Sequence, residues 1–405
     1  MKLDIDAARL SRELDTLAGF SDAPAPAVTR IVYSEPDRRA RAYVKSLCSE
    51  AGLAVREDAV GNTFARWTGS APELPPVATG SHIDAIPHAG RYDGTVGVLG
   101  GLEAIRALQR SGVGPRRSIE LVIFTAEEPT RYGIGCFGSR LLAGVLDPAA
   151  LPGLDAHRAA AGFHGDLESV RLSPGHYSAF LELHIEQGPL LEREGIPLGI
   201  VTAIAAPATW HITIEGEGGH AGAVLMAGRH DAMCAAAEMV LAVEHAVRGS
   251  GAPDTVGTVG VCEVFPGAVN SIPSRVRLEL DVRDTNLERR DQALADIEDA
   301  CGEIASRRGV HNTMKVINAD APAQCSPLAV SALARAADAH NLPYRKMVSR
   351  AYHDSLFMAR IAPTAMLFIP CRGGLSHRPD EFASEDAISA GALTLAEALC
   401  QLAIT

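Results

Sequence analysis

Histidines and carboxylates recur in this chain where apolar stretches end. The residues are His82, Asp84, Asp93, Glu127, Glu128, His184 and His377. Imidazole and carboxylate are ligands that Zn²⁺ and Mn²⁺ accept, and one carboxylate can bridge two ions about 3.5 to 4 Å apart. A single histidine is more often a surface or core residue than a ligand. Two adjacent acids after an apolar strand, however, repel each other unless a cation neutralises one of them. The pattern therefore predicts a binuclear hydrolytic metal site.

The segments that position these residues are short apolar runs alternating with helical stretches, which is typical of an α/β layer fold. We predict strands at 77–81, 118–125 and 180–185, and a helix at 95–110. Open α/β sheets bind ligands at the carboxyl ends of their strands, where these histidines and acids lie. The segment 146–174 reads as a loop.

The rhythm changes between about residues 207 and 322 to the order β-α-β-β-α-β, which is the ferredoxin-like unit. The predicted elements are strand 210–216, helix 229–248, strands 255–265 and 275–284, helix 287–308 and strand 313–318. The α/β rhythm then resumes, with a helix at 328–340, a helix from about 354, a strand at 365–370 and a helix from 385. We predict a catalytic domain formed by residues 1–207 and 323–405, interrupted by an inserted α+β domain at 208–322.

The composition excludes several classes of protein. A chain of 405 residues predicts at least two domains. With 37 basic and 49 acidic residues, the net charge of −12 disfavours nucleic acid as a partner. Since no run approaches the roughly 20 apolar residues that span a bilayer, we expect no membrane segment. The amphipathic start of the chain and its scattered cysteines, with no C-x-x-C pair, predict a cytoplasmic protein with reduced thiols.

Several longer motifs occur in a fixed order between about residues 80 and 381. They are GSHIDAIPHAGRYDG, FTAEEPTRYG, ELHIEQGPLLE, GEGGHAGAVLMAGRHDA, PGAVNSIP, LDVRD and LSHRPDEF. Together they resemble the M20 metallopeptidase-like amidohydrolases of the hydantoinase/carbamoylase branch. The resemblance implies an M20-type catalytic domain with a central mixed sheet flanked by helices. It also implies that the inserted ferredoxin-like domain is a lid and dimerisation domain.

The resemblance assigns two divalent metal ions to each subunit. It implies that His82, Asp93 and His184 hold one ion, and that the bridging Asp93 holds the other with Glu128 and His377. Glu127 would then be the general base, and Asp84 would orient His82, although a strand-capping role is the alternative for Asp84. The donors suit Mn²⁺ or Zn²⁺, and also Co²⁺ or Ni²⁺.

Further residues are assigned to the substrate by the same resemblance. His220 would reach the active site of the partner subunit in a homodimer and stabilise the oxyanion. Asn270 and Arg283 would clamp the substrate carboxylate, because the guanidinium fork of arginine meets a carboxylate bidentately. A salt bridge on its own strand is the alternative for Arg283. Gln187 would complete the substrate contacts.

Four shorter sequence segments indicate a small ureido carboxylate as the substrate. VTAIAAPATW, DTVGTVG, SRAYHDSLFMARI and FIPCRGGLSHRPDEF are similar to the ureidoglycolate-hydrolysing group of the branch. They imply conversion of ureidoglycolate to glyoxylate, ammonia and CO2, with N-carbamoyl-L-amino acids, 3-ureidopropionate and allantoate as alternative substrates. We expect Tyr352, with His353 beside it, to select a 2-hydroxy acid. Packing of Tyr352 over the helix that starts near Asp354 is the alternative.

Three other classes compete with this interpretation. A serine hydrolase is suggested by the run HDS at 353–355, but the chain has no G-x-S-x-G elbow. A nitrilase-like amidohydrolase would need a buried lysine, whereas Lys45 and Lys346 lie in polar settings. A non-catalytic binding protein on the M20 fold is disfavoured because all the proposed ligands and the acid Glu127 are present.

Overall fold

Two compact units make up the protein in the computed structural model, which describes residues 3–404. The first unit comprises residues 3–202, 324–349 and 353–404, and the second comprises residues 203–323 and 350–352. Two parts of the chain that are distant in sequence therefore build one unit.

Strands and helices are numbered in chain order. The strands are β1 (Val28–Arg30), β2 (Ala54–Glu57), β3 (Thr63–Trp67), β4 (Val77–His82), β5 (Ala85–Ala89), β6 (Ile119–Phe124), β7 (Ala179–Ile185), β8 (Leu198–Ile204), β9 (Ala206–Glu215), β10 (Gly219–His220), β11 (Val256–Phe265), β12 (Ser271–Ile272), β13 (Arg275–Asp284), β14 (His311–Ala319), β15 (Ala323–Gln324), β16 (Tyr344–Ser349) and β17 (Thr364–Ile369). The helices are α1 (Ala7–Ala18), α2 (Glu35–Glu50), α3 (Thr95–Arg110), α4 (Phe137–Leu142), α5 (Leu154–Ala160), α6 (Leu190–Glu194), α7 (Ala232–Gly249), α8 (Leu287–Arg308), α9 (Pro327–Ala339), α10 (Ser355–Met358) and α11 (Glu385–Ala403).

A mixed sheet forms the centre of the first unit, in the order β15-β8-β17-β7-β4-β6-β3-β2, with β16 paired to β8. The neighbours β17, β7, β4 and β6 run parallel, whereas β8 and β3 pair antiparallel to the outer members of this group. Every residue of the four parallel strands is buried. Because these strands are covered on both faces, their sequences need not alternate, and polar members such as Glu120 and Glu182 are buried as well.

Helix α3 crosses this sheet at very short range and sets the position of the residues before it. A Cβ atom on Gly97 would lie 2.3 Å from the carbonyl oxygen of Leu183, so only glycine allows this approach. Gly94, at the start of the helix, has φ +65°, and a Cβ there would lie 2.4 Å from the ring of His82. The helix therefore brings Asp93 close to the ends of β4 and β7.

A second layer of core covers the opposite part of the sheet and includes much of the segment 146–174. Leu151, Leu154 and Val170 are buried with Phe124 and Phe180 of the sheet. The expectation of a loop there was wrong, because the segment contains α5 and two single 3₁₀ turns. Elements this short give no visible hydrophobic period in the sequence.

The second unit is an antiparallel sheet in the order β11-β13-β9-β14, which packs against α7 and α8. With the chain order β9-α7-β11-β13-α8-β14, this is the ferredoxin-like arrangement predicted from the sequence. Among residues 3–404, no helix has both the length and the apolar character needed to cross a membrane.

Candidate metal centre and active site

The predicted ligands converge at the carboxyl ends of the parallel strands. His82 is the last residue of β4, His184 lies near the end of β7, and Glu128 follows β6 after a short turn. Asp93 precedes α3, and His377 lies between β17 and α11. Sequence positions that are far apart are therefore brought to one edge of the sheet, as the strand-end argument predicts.

Asp93 lies between two groups of potential ligands. Its Oδ1 is 3.1 Å from Nε2 of His184 and 3.6 Å from Nε2 of His82. Its Oδ2 is 3.1 Å from Nε2 of His377, which is itself 3.5 Å from Oε1 of Glu128. In each triad the candidate ligand atoms lie within 4.8 Å of one another. This geometry gives each carboxylate oxygen of Asp93 its own set of partners.

The two buried histidines present the same nitrogen to Asp93. Nδ1 of His184 lies 2.8 Å from the carbonyl oxygen of Ile185, and Nδ1 of His82 lies 3.1 Å from the carbonyl oxygen of Asp84. A proton on Nδ1 satisfies these carbonyls and leaves the lone pair of Nε2 directed into the site. Both rings are therefore oriented as metal ligands.

Asp84 contacts His82 through its main chain and, at longer range, through the carboxylate that is predicted to orient the ring, and that role stays a prediction. Oδ1 of Asp84 lies 3.6 Å from Nδ1 of His82, which is longer than the contact with the main-chain carbonyl of the same residue. Its two carboxylate oxygens instead accept the backbone N–H groups of Glu127 and Glu128, each at 3.1 Å. Asp84 thus fixes the turn that carries both glutamates.

Burial and like charges oppose ionisation of the glutamate pair. Burial, reinforced by Glu128 and Asp354, raises the pKa of Glu127 well above its ordinary value. Burial and the nearby Asp93 raise the pKa of Glu128 to about 7. Burial also acts on Asp93, but hydrogen bonds from His184 and the other two histidines outweigh it and hold the pKa of Asp93 well below the usual range.

The pKa values of the histidines are also raised, which favours their charged form. Burial opposes protonation of His82, yet Glu127 and the neighbouring aspartates raise its pKa well above the ordinary value. The hydrogen bond with Asp93 raises the pKa of His377 to about 9. Without a cation, the cluster must hold protons to limit repulsion between its carboxylates. Imidazole and carboxylate donors are the ligands of first-row divalent ions, so the residues present fit such ions well.

Residues 78–401 match the family described as Peptidase family M20/M25/M40. The chain belongs to this family. The ureidoglycolate hydrolase of Arabidopsis thaliana is 52% identical over 418 residues, which cover 99% of this chain and 88% of that relative. The N-carbamoyl-L-amino acid amidohydrolase of Geobacillus stearothermophilus is 39% identical, with 98% of this chain and 99% of that relative covered.

A crystal structure of a related protein has the same fold as this chain. The crystal structure of AtUAH in complex with (S)-hydroxyglycine is 51% identical to this chain and matches it with a TM-score of 0.88. The match covers 100% of this chain and 99% of that chain. The prediction of an M20 hydrolase with an α/β fold and a central mixed sheet is confirmed.

Glu127, the predicted general base of this M20 chain, has its carboxylate held from two sides. Its Oε2 lies 3.8 Å from Nε2 of His82, and its Oε1 accepts from the thiol of Cys136 at 3.3 Å. Ala126 and Cys136 both have φ +56°, a backbone conformation that costs non-glycine residues about 1 kcal/mol or more. One carboxylate oxygen therefore faces His82 and the other faces Cys136.

Two further predicted contacts lie in the first unit. Nε2 of Gln187 donates to Oδ2 of Asp93 at 2.8 Å, so the side chain touches the carboxylate that is predicted to bridge the ions. His353 is buried, with Nε2 3.0 Å from the hydroxyl of Ser349 and its ring 4.6 Å from that of His184. Both residues therefore contact the candidate centre or its supporting groups, and their contact with substrate stays a prediction.

The remaining predicted substrate residues belong to the second unit. His220 and Asn270 are exposed and lie on adjacent backbone, since the N–H of Ala221 donates to the carbonyl of Asn270 at 2.9 Å. Arg283 makes the salt bridge that the sequence left open as its alternative, at 2.8 Å from Oδ1 of Asp281. These roles toward the substrate also stay predictions.

Tyr352 is likewise part of the second unit. Its hydroxyl donates to Oδ2 of Asp320. The phenol therefore has a carboxylate partner, which the sequence did not reveal.

The rival serine mechanism does not fit the local geometry. The hydroxyl of Ser355 is buried and donates to Oε2 of Glu182 at 2.6 Å, and His353 faces Ser349 instead. Lys45 pairs with a surface glutamate and so supplies no buried amine for a nitrilase-like site. These contacts give Ser355 and Lys45 structural roles.

Sequence reasoning missed Cys136, Ser376 and Glu381. The thiol of Cys136 contacts Glu127, whereas Ser376 and Glu381 contact Asp93 or its backbone. Ser376 and Glu381 belong to the run LSHRPDEF that contains His377. Their closeness to a presumed ligand was the only available signal, because the contacts themselves link residues almost three hundred positions apart.

Proposed function

We propose that this chain is a metal-dependent amidohydrolase that cleaves the ureido C–N bond of a small carboxylate, with ureidoglycolate as substrate. The observation that carries the proposal is the 52% identity, along 99% of this chain, with a ureidoglycolate hydrolase. Ammonia and CO2 would be released and hydroxyglycine would remain, which decays to glyoxylate and a second ammonia. Such a reaction belongs to the breakdown of purine-derived ureides.

The ligands support two divalent ions in each subunit. His82 and His184 would hold the first ion, Glu128 and His377 the second, and Asp93 both. The separate oxygens of Asp93 and the clustered donor atoms support this arrangement. Mn²⁺ and Zn²⁺ are the first candidates, with Co²⁺ and Ni²⁺ next. When bound, such ions lower the pKa of water and polarise a carbonyl oxygen.

Glu127 takes the proton of the attacking water in the proposed mechanism and later donates it to the departing nitrogen. A general base must lie within reach of the reacting water, and Glu127, which belongs to neither ligand triad, has its Oε2 3.8 Å from Nε2 of the proposed ligand His82. Its raised pKa suits a group that first accepts and then gives a proton.

His220 stabilises the oxyanion from the partner subunit of a homodimer in this proposal. The residue is exposed on the second unit, and the side chains of Leu225 and Met226 beside it are 81% and 76% exposed. Val269, next to Asn270, is also fully exposed. Exposed apolar clusters of this kind are typical of interaction surfaces.

The carboxylate of the substrate would be bound by Asn270 and Arg283, with Gln187 contacting its reactive part. Tyr352, with His353, would favour the 2-hydroxy group of ureidoglycolate. N-carbamoyl-L-amino acids form the second candidate class, because the carbamoylase of Geobacillus stearothermophilus is 39% identical over 98% of this chain. Allantoate and 3-ureidopropionate follow, and a non-catalytic M20-fold binding protein is the candidate from another class. We place the enzyme in the cytoplasm, where its free cysteines would stay reduced.

A substrate panel tests the proposal directly. The chelator-treated protein is loaded with Mn²⁺, Zn²⁺, Co²⁺ or Ni²⁺ and assayed for ammonia release from ureidoglycolate, allantoate, 3-ureidopropionate and N-carbamoyl amino acids. We expect the largest kcat/KM on ureidoglycolate and loss of activity after chelation. A larger kcat/KM on a carbamoyl amino acid would transfer the assignment to that class. No turnover of any substrate with any ion would favour the binding protein.

The role of His220 in trans has its own test. His220→Ala and Glu127→Gln chains are mixed after mild dissociation, and each is also assayed alone. If His220 acts across the dimer, half of the dimers are mixed and each contains one complete site, so about a quarter of wild-type activity returns. If His220 acts within its own chain, no complete site forms and activity stays at the level of the parents. Light scattering of the eluted protein gives the dimer mass.

A further inference from the structure

The segment that carries His377 has little regular structure of its own. It runs from the end of β17 to the start of α11 and includes only a single 3₁₀ turn at Arg372–Gly374. His377 has φ +59°, and its side chain is 47% exposed. The other proposed ligands are buried. The position of this one ligand must therefore depend on contacts made by its neighbours.

Ser376 and Glu381 supply those contacts by linking the segment to Asp93. The hydroxyl of Ser376 lies 2.9 Å from Oδ2 of Asp93 and 2.8 Å from Oε2 of Glu381. Nε2 of Gln187 lies 3.3 Å from the same hydroxyl and 2.8 Å from Oδ2 of Asp93. Ser376, which precedes His377, thus contacts the same oxygen of Asp93 that faces the His377 ring.

Glu381 also holds the backbone that leads into Asp93. Its Oε1 accepts the N–H groups of Tyr92 and Asp93, at 2.7 Å and 3.1 Å. The side chain is almost completely buried, and a Cβ atom on Gly90 would lie 2.3 Å from the Cβ of Glu381. Glycine at position 90 therefore leaves the space in which this carboxylate lies. One buried side chain joins two segments that each contribute a ligand to the second triad.

We propose that Glu381 is a positioning residue for the second ion. Through Ser376 and the two backbone N–H groups, it holds the His377 segment against Asp93, so that Asp93, Glu128 and His377 close around one cation. The first ion depends less on this link, because His82 and His184 come from buried strands. This inference rests on the two-ion site of the proposed function.

Metal titration of stripped protein separates the two ions. Wild type, Glu381→Ala, Glu381→Gln and Ser376→Ala are titrated with Mn²⁺ by calorimetry, and bound metal is counted after gel filtration. Loss of a group that supports a ligand commonly costs 10- to 100-fold in metal affinity. We expect Glu381→Ala to bind the second ion about 10- to 100-fold more weakly and to weaken the first ion, which shares Asp93, by clearly less. The electron paramagnetic resonance spectrum of bound Mn²⁺ should change from that of two magnetically coupled ions to that of a single ion.

Asp380→Asn is the matched control, because Asp380 neighbours Glu381 but pairs on the surface with Arg378. It should bind two ions as wild type does. Glu381→Gln retains an oxygen that can accept from the two backbone N–H groups, so we expect a smaller loss than with alanine. If Glu381→Ala does not fold, Glu381→Gln and Ser376→Ala decide the matter, since each should weaken one ion selectively.

Three results would overturn the inference. The first is that the Glu381 and Ser376 variants bind two ions with wild-type affinity. The second is that these variants bind both ions more weakly by the same factor. The third is that Asp380→Asn loses as much metal affinity as they do. Failure of the proposed function is distinguishable from these. Wild-type protein that binds fewer than two ions would refute the two-ion site and this inference together. Two tightly bound ions without turnover of ureidoglycolate would refute only the substrate.

Discussion

Metal binding at the second triad should release protons, and the number follows from the cluster. Burial and Asp93 raise the pKa of Glu128 to about 7, and the hydrogen bond with Asp93 raises the pKa of His377 to about 9. An ion can bind these groups only after both have lost their protons. At pH 7, His377 is almost fully protonated and Glu128 about half protonated, so the ion displaces about 1.5 protons.

The pH dependence has a definite sign and size. Protonation competes with the ion, so affinity rises with pH, and the slope of log affinity against pH equals the number of protons displaced. That number falls from about 1.9 at pH 6 to about 1 at pH 8, which corresponds to roughly a thousandfold rise in affinity across the range. His82 and His184 also have raised pKa values, so filling the first triad releases further protons in the same direction.

Calorimetry in buffers of different ionisation enthalpy measures the protons released. His377→Ala should release about one proton fewer at pH 7, because the protonated ring is gone. His245→Gln, which changes an exposed histidine of the second unit, should release the wild-type number. Affinity that is constant between pH 6 and 8, or release of less than about half a proton for both ions together, would refute this account of the cluster.

Three further predictions concern turnover and folding. Glu127→Gln should lower kcat by about 10²- to 10⁴-fold, since a general base is lost. Metal analysis of this variant should still find two ions. A kcat within tenfold of the wild-type value would exclude Glu127 as the base. Tyr352→Phe should lower kcat/KM on ureidoglycolate more than on an N-carbamoyl amino acid, and equal losses would leave the hydroxyl with a structural role only. Gly80→Ala should lower the free energy of unfolding, measured with urea, by about 1 to 3 kcal/mol. The added Cβ would lie 1.9 Å from the carbonyl oxygen of Val122. Gly114→Ala, with no heavy atom within 4 Å, is the control, and a loss as large as that of Gly80→Ala would contradict the steric argument.

The sequence predicted elements best where periodicity was long and the ends were marked. Helix α3 and helix α8 begin and end at the predicted residues, and strand β13 matches as well. In contrast, β5 (Ala85–Ala89) was not predicted, because a five-residue strand that contains a proline gives no clear alternation. The two 3₁₀ turns and the short helix within 146–174 were not predicted either, because they are too short to show a hydrophobic period.

The sequence predicted which histidines and acids lie together at the candidate site, but not the contacts that support them. Histidines and acids at strand ends are visible in one dimension, since the carboxyl ends of parallel strands meet. The sequence shows that Asp84 lies two residues after His82, but not that its carboxylate accepts from Glu127 and Glu128 while its carbonyl faces the ring. The contact of Glu381 with Asp93 depends on tertiary distances that no local pattern encodes.

The carboxylate of Asp93 contacts His184 and His377, which lie far apart in the sequence. The proposed ligands lie on both sides of the second unit in sequence, with His184 before it and His377 after it. Two ions that share Asp93 would together close a loop that contains the whole second unit, as a crosslink does. Ions at 100 times their dissociation constant add about 2.7 kcal/mol to the stability of the native state. A chelator should therefore accelerate proteolysis of the first unit, because the two halves of its chain would separate more often.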